Sequence, residues 1–322
     1  MMKINTLVTG IAGFAGSYLA EILLEKGHKV YGFLAPGEKT ANLRHLLNDI
    51  NLERFDILKL NRLSRFVKLA KPDYLFHLAA FASVGQSFDN ERLVYDINFS
   101  GTLNLIDSVL SLNKKIKKLV FISSSDVYGK FEPESKTLRE SQSFNPQSPY
   151  AISKASGEYL MLYHFKKNSL PAVRVRAFNH TGPRQSNNYA VPSFCRQIAE
   201  IEAGAKKPVI SVGDLSAKRD LSDVRDIVWG YYLSAIKGEP GDVYQLCSGK
   251  SVAIKTVLDK LLKCSACDIK VRVDKSRFRK TDIPVLRGCN KYAKLKLGWH
   301  LEYSLDRTLN DTLQYWRDKR KR

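Results

Sequence analysis

Three groups of residues in this chain have types and spacings that can do chemistry. Gly10-x-x-Gly13-x-x-Gly16 stands between a short apolar run and a segment of helical periodicity. Glycines at that spacing let the backbone turn tightly and approach a pyrophosphate, whose charge is met by free N–H groups and a helix dipole. Tyr150-x-x-x-Lys154 opens a second helical segment, where a four-residue spacing puts both side chains on one face. A phenol exchanges protons near neutral pH only where a nearby cation favours its phenolate, and Lys154 could supply that field. Ser123-Ser124-Ser125-Asp126 follows the apolar run 119–122. Hydroxyls at the carboxyl end of a parallel strand stand where such sheets put their ligands. Each group also has a plainer origin: glycines end strands, Tyr and Lys fall four apart on many helices, and serines make turns. Their order along one chain says more than any one of them.

The elements that must position these groups follow from apolar periodicity. Residues 4–9, the glycines, residues 18–24 up to a capping Gly27, and residues 30–34 spell strand, turn, helix and strand within the length of one βαβ unit. Further strands are expected at 74–78, 119–123 and 173–177, with helices over 93–112 and 150–167. Such alternation predicts an α/β fold with a doubly wound parallel sheet of Rossmann type, covered on both faces. After Phe178 the rhythm breaks into polar, proline-containing loops, a helix near 191–203 and an apolar run at 243–247. Residues 1–178 are therefore expected to form a dinucleotide-binding domain, its sheet completed by about 219–250. Residues 179–218 and 251–322 are expected to form a smaller, interleaved substrate domain.

A site selective for NAD usually has an acidic residue at the end of the second strand, bonded to the ribose hydroxyls. Here the chain reads Tyr31-Gly32-Phe33-Leu34-Ala35, without a carboxylate, while Lys39 and Arg44 lie downstream and could meet a 2′-phosphate. The sequence therefore leans to NADP(H) over NAD(H). Asp56 and Ile57 fall where the adenine would lie after a third strand, although an Asp there also suits a turn.

Composition narrows the remaining classes. A hydrophobic fraction of 44% and a charged fraction of 26% are ordinary for globular chains and exclude disordered or fibrous ones. The start lacks a signal-peptide pattern and no apolar run is long enough to span a bilayer, so a soluble cytoplasmic protein with no membrane partner is expected. Five cysteines, an odd number, argue against a disulfide framework. Cys264-x-x-Cys267 has no second pair and no nearby His to complete a tetrahedral set, so no metal is expected. The net charge of +20 favours polyanions, whether nucleic acid, anionic membrane or a phosphorylated small molecule. Much of it lies in Lys-rich patches at 114–118, 166–167 and 317–322 that read as solvated surface.

Taken in order, Gly10–Gly16, His77-Leu78-Ala79-Ala80, Ser124, Tyr150 and Lys154 resemble the cofactor and catalytic motifs of the extended short-chain dehydrogenase/reductase family over essentially the whole chain. The resemblance implies that Tyr150 is the acid/base at a sugar hydroxyl or ketone, that Lys154 binds the nicotinamide ribose and lowers the Tyr pKa, and that Ser124 bonds the reacting oxygen. It also implies cofactor contacts from Gly10, Gly13, Phe14, Ala15, Gly16, Asp56, Ile57, Leu78, Ala79 and Ala80. The segments 178–183, 191–198, 219–226, 282–284 and 315–317 are similar to those of GDP-4-dehydro-6-deoxy-D-mannose reductases within the nucleotide-sugar branch. By that similarity Asn179, Arg196, Arg219, Arg279 and Asp282 surround a nucleotide diphosphate, with Ser83, Val191, Ser124 and Asp126 also on the substrate side. Arginine's fork suits phosphate oxygens, and an acid suits ribose hydroxyls or guanine N–H groups.

Two positions depart from these relatives: Lys280 stands where Pro is usual and Arg184 where Gly is common. Asp126 is ambiguous, because GDP-mannose 4,6-dehydratases carry a Glu there as the base of elimination, while an Asp can equally belong to a turn. The expected activity is NAD(P)H-dependent reduction of the C4 keto group of a GDP-4-dehydro-6-deoxyhexose, giving a product such as GDP-D-rhamnose. A dehydratase or epimerase that retains its dinucleotide is the nearest alternative, and a non-catalytic dinucleotide-sensing nucleic-acid binder the distant one. Relatives are often dimers, so a homodimer is expected.

Overall fold

The computed structural model describes residues 3–131, 137–278 and 283–321. Seven strands build its central sheet: β1 Asn5–Thr9, β2 Lys29–Leu34, β3 Ile50–Arg54, β4 Tyr74–His77, β5 Lys118–Ser124, β6 Ala172–Ala177 and β7 Val243–Leu246. The principal helices are α1 Phe14–Glu25, α2 Leu60–Ala70, α3 Gly101–Leu110, α4 Pro149–Asn168, α5 Ala190–Glu202, α6 Val224–Lys237, α7 Ile254–Lys263 and α8 Leu305–Lys321. The strands run in the order β7-β6-β5-β4-β1-β2-β3, every pair parallel. This is the doubly wound sheet that the alternating pattern predicts.

Period-2 alternation along each strand sorts the core into two layers. Val8, Phe76, Val120, Ile122, Val173 and Val175 pack with Leu19 and Leu23 of α1 and Ile227 and Val228 of α6. Their sequence neighbours Leu7, Leu75, Leu119 and Phe121 face the other way, onto Leu63 and Phe66 of α2, Leu105 and Ile106 of α3 and Met161 of α4. A separate cluster joins α5, α7 and α8 through residues such as Phe194, Ile198, Leu258, Leu261 and Leu313. Around it lie three two-stranded ladders, pairing His180–Thr181 with Ser222–Asp223, Lys218–Asp220 with Ser251–Ala253, and Val209–Val212 with Lys270–Val273.

The single helix expected over 93–112 is interrupted. An α-helical turn at Glu91–Tyr95 passes through a π-helical turn at Asp96–Ser100 before α3. The wider turn lets buried Asn98 accept the Phe81 N–H at 2.7 Å and donate to Ser153 Oγ at 2.9 Å. A π turn of this kind commonly re-aims a side chain near a functional site. Here it ties the loop after β4 to the first turns of α4.

Candidate active site

Strand order reverses between β4 and β1, and an open α/β sheet places its ligand crevice at that reversal. A cavity of 1330 Å³ opens there. One wall is the glycine turn. Gly10 has φ +69°, and a Cβ on it would lie 2.8 Å from the Ala79 nitrogen; a Cβ on Gly16 would lie 2.2 Å from the Gly10 carbonyl oxygen. Gly13 precedes α1 with no side-chain cap, and no acidic residue occupies the helix's first turn. Free N–H groups and the positive end of the helix thus meet the cavity in a cradle that a β-carbon would fill, which fits a dinucleotide pyrophosphate. Gly16→Ala is expected to cost about 1–3 kcal/mol through this clash and to abolish dinucleotide binding. Thermal unfolding and a fluorescence titration with NADH and NADPH check this, and undiminished binding would rule out the cradle.

Gly10, Gly13, Phe14, Ala15, Gly16, Asp56, Ile57, Leu78, Ala79 and Ala80 all line this cavity, as does Ser83. Thr9 Oγ1 accepts the Ala79 N–H at 3.0 Å and meets His77 Nδ1 at 2.7 Å, so a hydroxyl on β1 sets the end of β4. The other ring nitrogen of His77 meets Thr102 Oγ1 at 2.8 Å. Burial, helped by the charge of Lys154, pushes the His77 imidazole down to about 3, so this histidine is neutral and structural. Asp56 both lines the cavity and makes a turn, its Oδ1 accepting the Leu58 N–H at 2.9 Å. Lys39 and Arg44 are exposed and do not line the cavity; that segment contributes Ala35, Pro36, Gly37, Glu38 and Asn42.

At the far end the cavity is closed by Ser124, Asp126, Tyr150 and Lys154. Ser124, the last residue of β5, caps the short 3-10 turn Ser125–Tyr128. Its hydroxyl accepts the Asp126 N–H at 3.1 Å and donates to Asp126 Oδ2 at 3.2 Å. The turn is thus capped by Ser124, with Asp126 inside it. Ser148 caps α4 by accepting the Ala151 N–H at 3.1 Å, and Pro149 takes the first helical position. This sharp start places Tyr150 in the wall of the cavity, together with Ser124 and Asp126. Burial and then the Asp126 carboxylate push the Tyr150 phenol well above its ordinary range, opposed by the Ser124 hydroxyl. Lys154, expected to favour the phenolate, is not among the groups that shift this phenol.

Lys154 Nζ donates to the Ile122 carbonyl at 2.7 Å and sits over the Phe121 ring. Burial pushes its ammonium down to about 8, against the opposing pull of Glu158 one turn further along α4. Between that value and its ordinary 10.5 the unfolded chain holds a proton that the native protein lacks, so stability rises with pH through this window. Below it both states are charged and the cost of burying the ammonium is fully present. We expect Lys154→Met to remove about 1–3 kcal/mol of that pH-dependent difference, seen by comparing urea midpoints on either side of the window. An unchanged pH dependence in the variant would refute the assignment.

A second cavity of 490 Å³ adjoins the first, the two sharing Asn179, His180, Gln185, Asn188, Tyr189 and Arg277. Val191, Arg196 and Arg219 line it. Arg196 pairs with Glu200 at 3.1 Å, and Arg219 donates to the Ile283 carbonyl at 2.6 Å. Asn179 Oδ1 is buried without a hydrogen-bond partner among the described residues. Arg279, Lys280 and Asp282 lie outside the described residues. Sequence reasoning missed Arg277 and Lys206 in this cavity and Glu38 in the first. Arg277 was within reach, two residues before the arginine that the resemblance picks out.

A glycine cradle at a sheet reversal, with Ser124, Tyr150 and Lys154 at its far end, defines an NAD(P)-dependent oxidoreductase of the extended short-chain dehydrogenase/reductase class. Residues 7–312 match the family model described as GDP-mannose 4,6 dehydratase, and the chain belongs to that family. The GDP-6-deoxy-D-mannose reductase of Pseudomonas aeruginosa is 29% identical over 318 residues, covering 99% of each chain. The solved structure of RMD from Pseudomonas aeruginosa complexed with NADPH superposes with a TM-score of 0.85 at 27% identity, covering 98% of this chain and 99% of the other. UDP-glucose 4-epimerase from Thermus thermophilus in complex with NAD gives 0.87 at 25% identity, over 97% and 98%. Among the described residues no helix is long and apolar enough to cross a membrane.

Proposed function

We propose that this protein reduces the C4 ketone of GDP-4-dehydro-6-deoxy-D-mannose to a GDP-6-deoxyhexose such as GDP-D-rhamnose. The observation that carries this is the Tyr150 side chain, buried in the wall of the cavity that Ser124 and Asp126 also line. Both burial and Asp126 keep the phenol protonated, which is the state that a proton donor to a carbonyl oxygen requires. When bound, the nicotinamide dinucleotide supplies hydride to the carbonyl carbon. Tyr150 gives its proton to the oxygen as negative charge develops there, and the Ser124 hydroxyl, exchanging its bond to Asp126 for one to the substrate, donates to the same atom. Lys154 holds the ribose hydroxyls with the protons not spent on Ile122.

The nucleotide half of the substrate is assigned to the second cavity. Arg196, Arg219 and Arg277 line it and suit a diphosphate, as does Lys206. The open acceptor on Asn179 calls for a donor, and a sugar hydroxyl would satisfy it. Guanine rather than another base is supported by the family match and by the Pseudomonas reductase. Binding of the nucleotide diphosphate by Arg279 and Asp282, which the resemblance implies, remains part of this proposal.

Loss of the near-ultraviolet absorbance of NADH or NADPH on adding the 4-keto sugar nucleotide tests it. Steady absorbance while GDP-mannose is dehydrated would replace it with the second reading, for which Asp126 is the specific observation: a carboxylate beside Ser124 and Tyr150 could remove a sugar proton. A homodimer is also proposed. Ile152, Tyr159 and Tyr163 leave an exposed apolar stripe at helical spacing on α4, beside exposed Phe99 and Leu110, and light scattering reads the mass directly.

A further inference from the structure

The chain after β2 makes a tight turn through Ala35-Pro36-Gly37-Glu38. Pro36 and Gly37 fill its central positions, Gly37 at φ +78°, and the Glu38 N–H donates to the Ala35 carbonyl at 3.1 Å. Proline followed by a glycine of positive φ is the sequence of a type II turn. Arg54, at the end of β3, fastens the turn from outside by donating to the Ala35 carbonyl at 2.8 Å and the Glu38 carbonyl at 2.9 Å. The turn folds Glu38 back onto the end of β2, where its Oε2 accepts the Ala35 N–H at 2.9 Å. Glu38 therefore lines the dinucleotide cavity at a place that the linear sequence leaves without a carboxylate.

We infer that Glu38 makes this site select NAD(H) against NADP(H). The inference rests on the proposed function only in taking the cradle to hold a dinucleotide. An acidic side chain at the end of the second strand accepts hydrogen bonds from ribose hydroxyls and repels a 2′-phosphate through like charge. With Oε2 accepting from Ala35, Glu38 keeps a second carboxylate oxygen with which to accept from a ribose hydroxyl. The remaining residues lining this end, Ala35, Pro36, Gly37, Asn42, Asp56 and Ile57, bring no cation to offset the repulsion. Lys39 and Arg44 do not line the cavity, and neither does Arg54, whose guanidinium is taken up by the Ala35 and Glu38 carbonyls. Asn42 is held by its own bond to the Ala12 carbonyl at 3.2 Å, which places it across the glycine turn.

Direct binding of NADH and NADPH to the sugar-free protein, by fluorescence or calorimetry, tests the inference apart from any catalytic assay. NADH is expected to bind at least about tenfold more tightly than NADPH. Glu38→Gln keeps the shape of the turn and is expected to shrink that ratio about tenfold, mostly by tightening NADPH. Lys39→Ala is expected to leave the ratio where it was. Tighter binding of NADPH by the native protein, an unchanged ratio in Glu38→Gln, a loss of NADPH alone in Lys39→Ala, or binding of neither dinucleotide would each overturn the inference. A tenfold preference for NADH in a protein that reduces no keto sugar would instead leave the selectivity standing and remove the proposed reaction.

Discussion

Tyr150→Phe lowers kcat for reduction of the keto sugar by about 10²–10⁴-fold while the dinucleotide still binds. At this end of the cavity burial holds a proton on the phenol, while the Ser124 hydroxyl is engaged with Asp126 and Lys154 is turned to the Ile122 carbonyl. Phenylalanine keeps the ring, so the loss belongs to the hydroxyl. The fold should be unaffected, because the substitution leaves in place the backbone carbonyl of residue 150, which accepts from Ser153 Oγ at 2.7 Å. Steady-state kinetics with both dinucleotides, alongside a binding titration, check this. Equal losses of binding and turnover would mean that Tyr150 supports the cavity wall rather than the chemistry.

Glu158→Ala should be the most destabilising single change behind the site, by about 3–5 kcal/mol, equivalent to a fall in Tm of roughly 4–7 °C. Glu158 is fully buried and accepts Ser123 Oγ at 2.6 Å and Arg176 Nε and Nη2 at 2.9 and 2.8 Å. Its loss strands a buried guanidinium whose remaining bonds are to the Tyr128 hydroxyl at 2.7 Å and the Glu140 carbonyl at 2.8 Å. The same carboxylate is the charge that supports the Lys154 ammonium, so the damage reaches the site through Ser123 and Lys154 together. Replacing the pair at once, Glu158→Met with Arg176→Met, should recover much of the stability, since the guanidinium most deeply committed to Glu158 leaves with it and only the longer contact to Arg174 at 3.8 Å and the field on Lys154 are lost. Calorimetric unfolding of the native protein and both variants decides it, and a double variant as unstable as the single one would contradict the stranded-charge account.

The sheet was legible because parallel strands buried on both faces are short continuous apolar runs, and β1, β2, β4 and β5 each contain one, while β6 alternates apolar residues with Arg174 and Arg176. The glycine turn and the Ser124, Tyr150 and Lys154 set were legible because their chemistry depends on local spacing. Helix α6 was hidden by Trp229, Tyr231 and Tyr232, aromatic residues that blur a helical stripe, whereas α2 carries a legible stripe of Leu63, Phe66, Val67 and Ala70. The π turn at Asp96–Ser100 carries no sequence signal of its own. Glu38 escaped because the Pro36-Gly37 turn, rather than the strand, delivers it to the cavity; only the folded-back geometry puts it at the end of β2. Lys39 was favoured by nearness in sequence, and the same turn leaves it in solvent.

The central claim is that hydride passes from an external reduced dinucleotide to C4 of the sugar, with Tyr150 supplying the proton. Incubating the protein with GDP-4-dehydro-6-deoxy-D-mannose and NADH or NADPH deuterated on the nicotinamide ring tests this by mass spectrometry and NMR of the product. The account predicts one deuterium at C4 of the sugar for each dinucleotide oxidised, and none in the presence of Tyr150→Phe protein. A product without deuterium, or GDP-mannose converted with its own C4 hydrogen moved to C6 and no dinucleotide consumed, would contradict it.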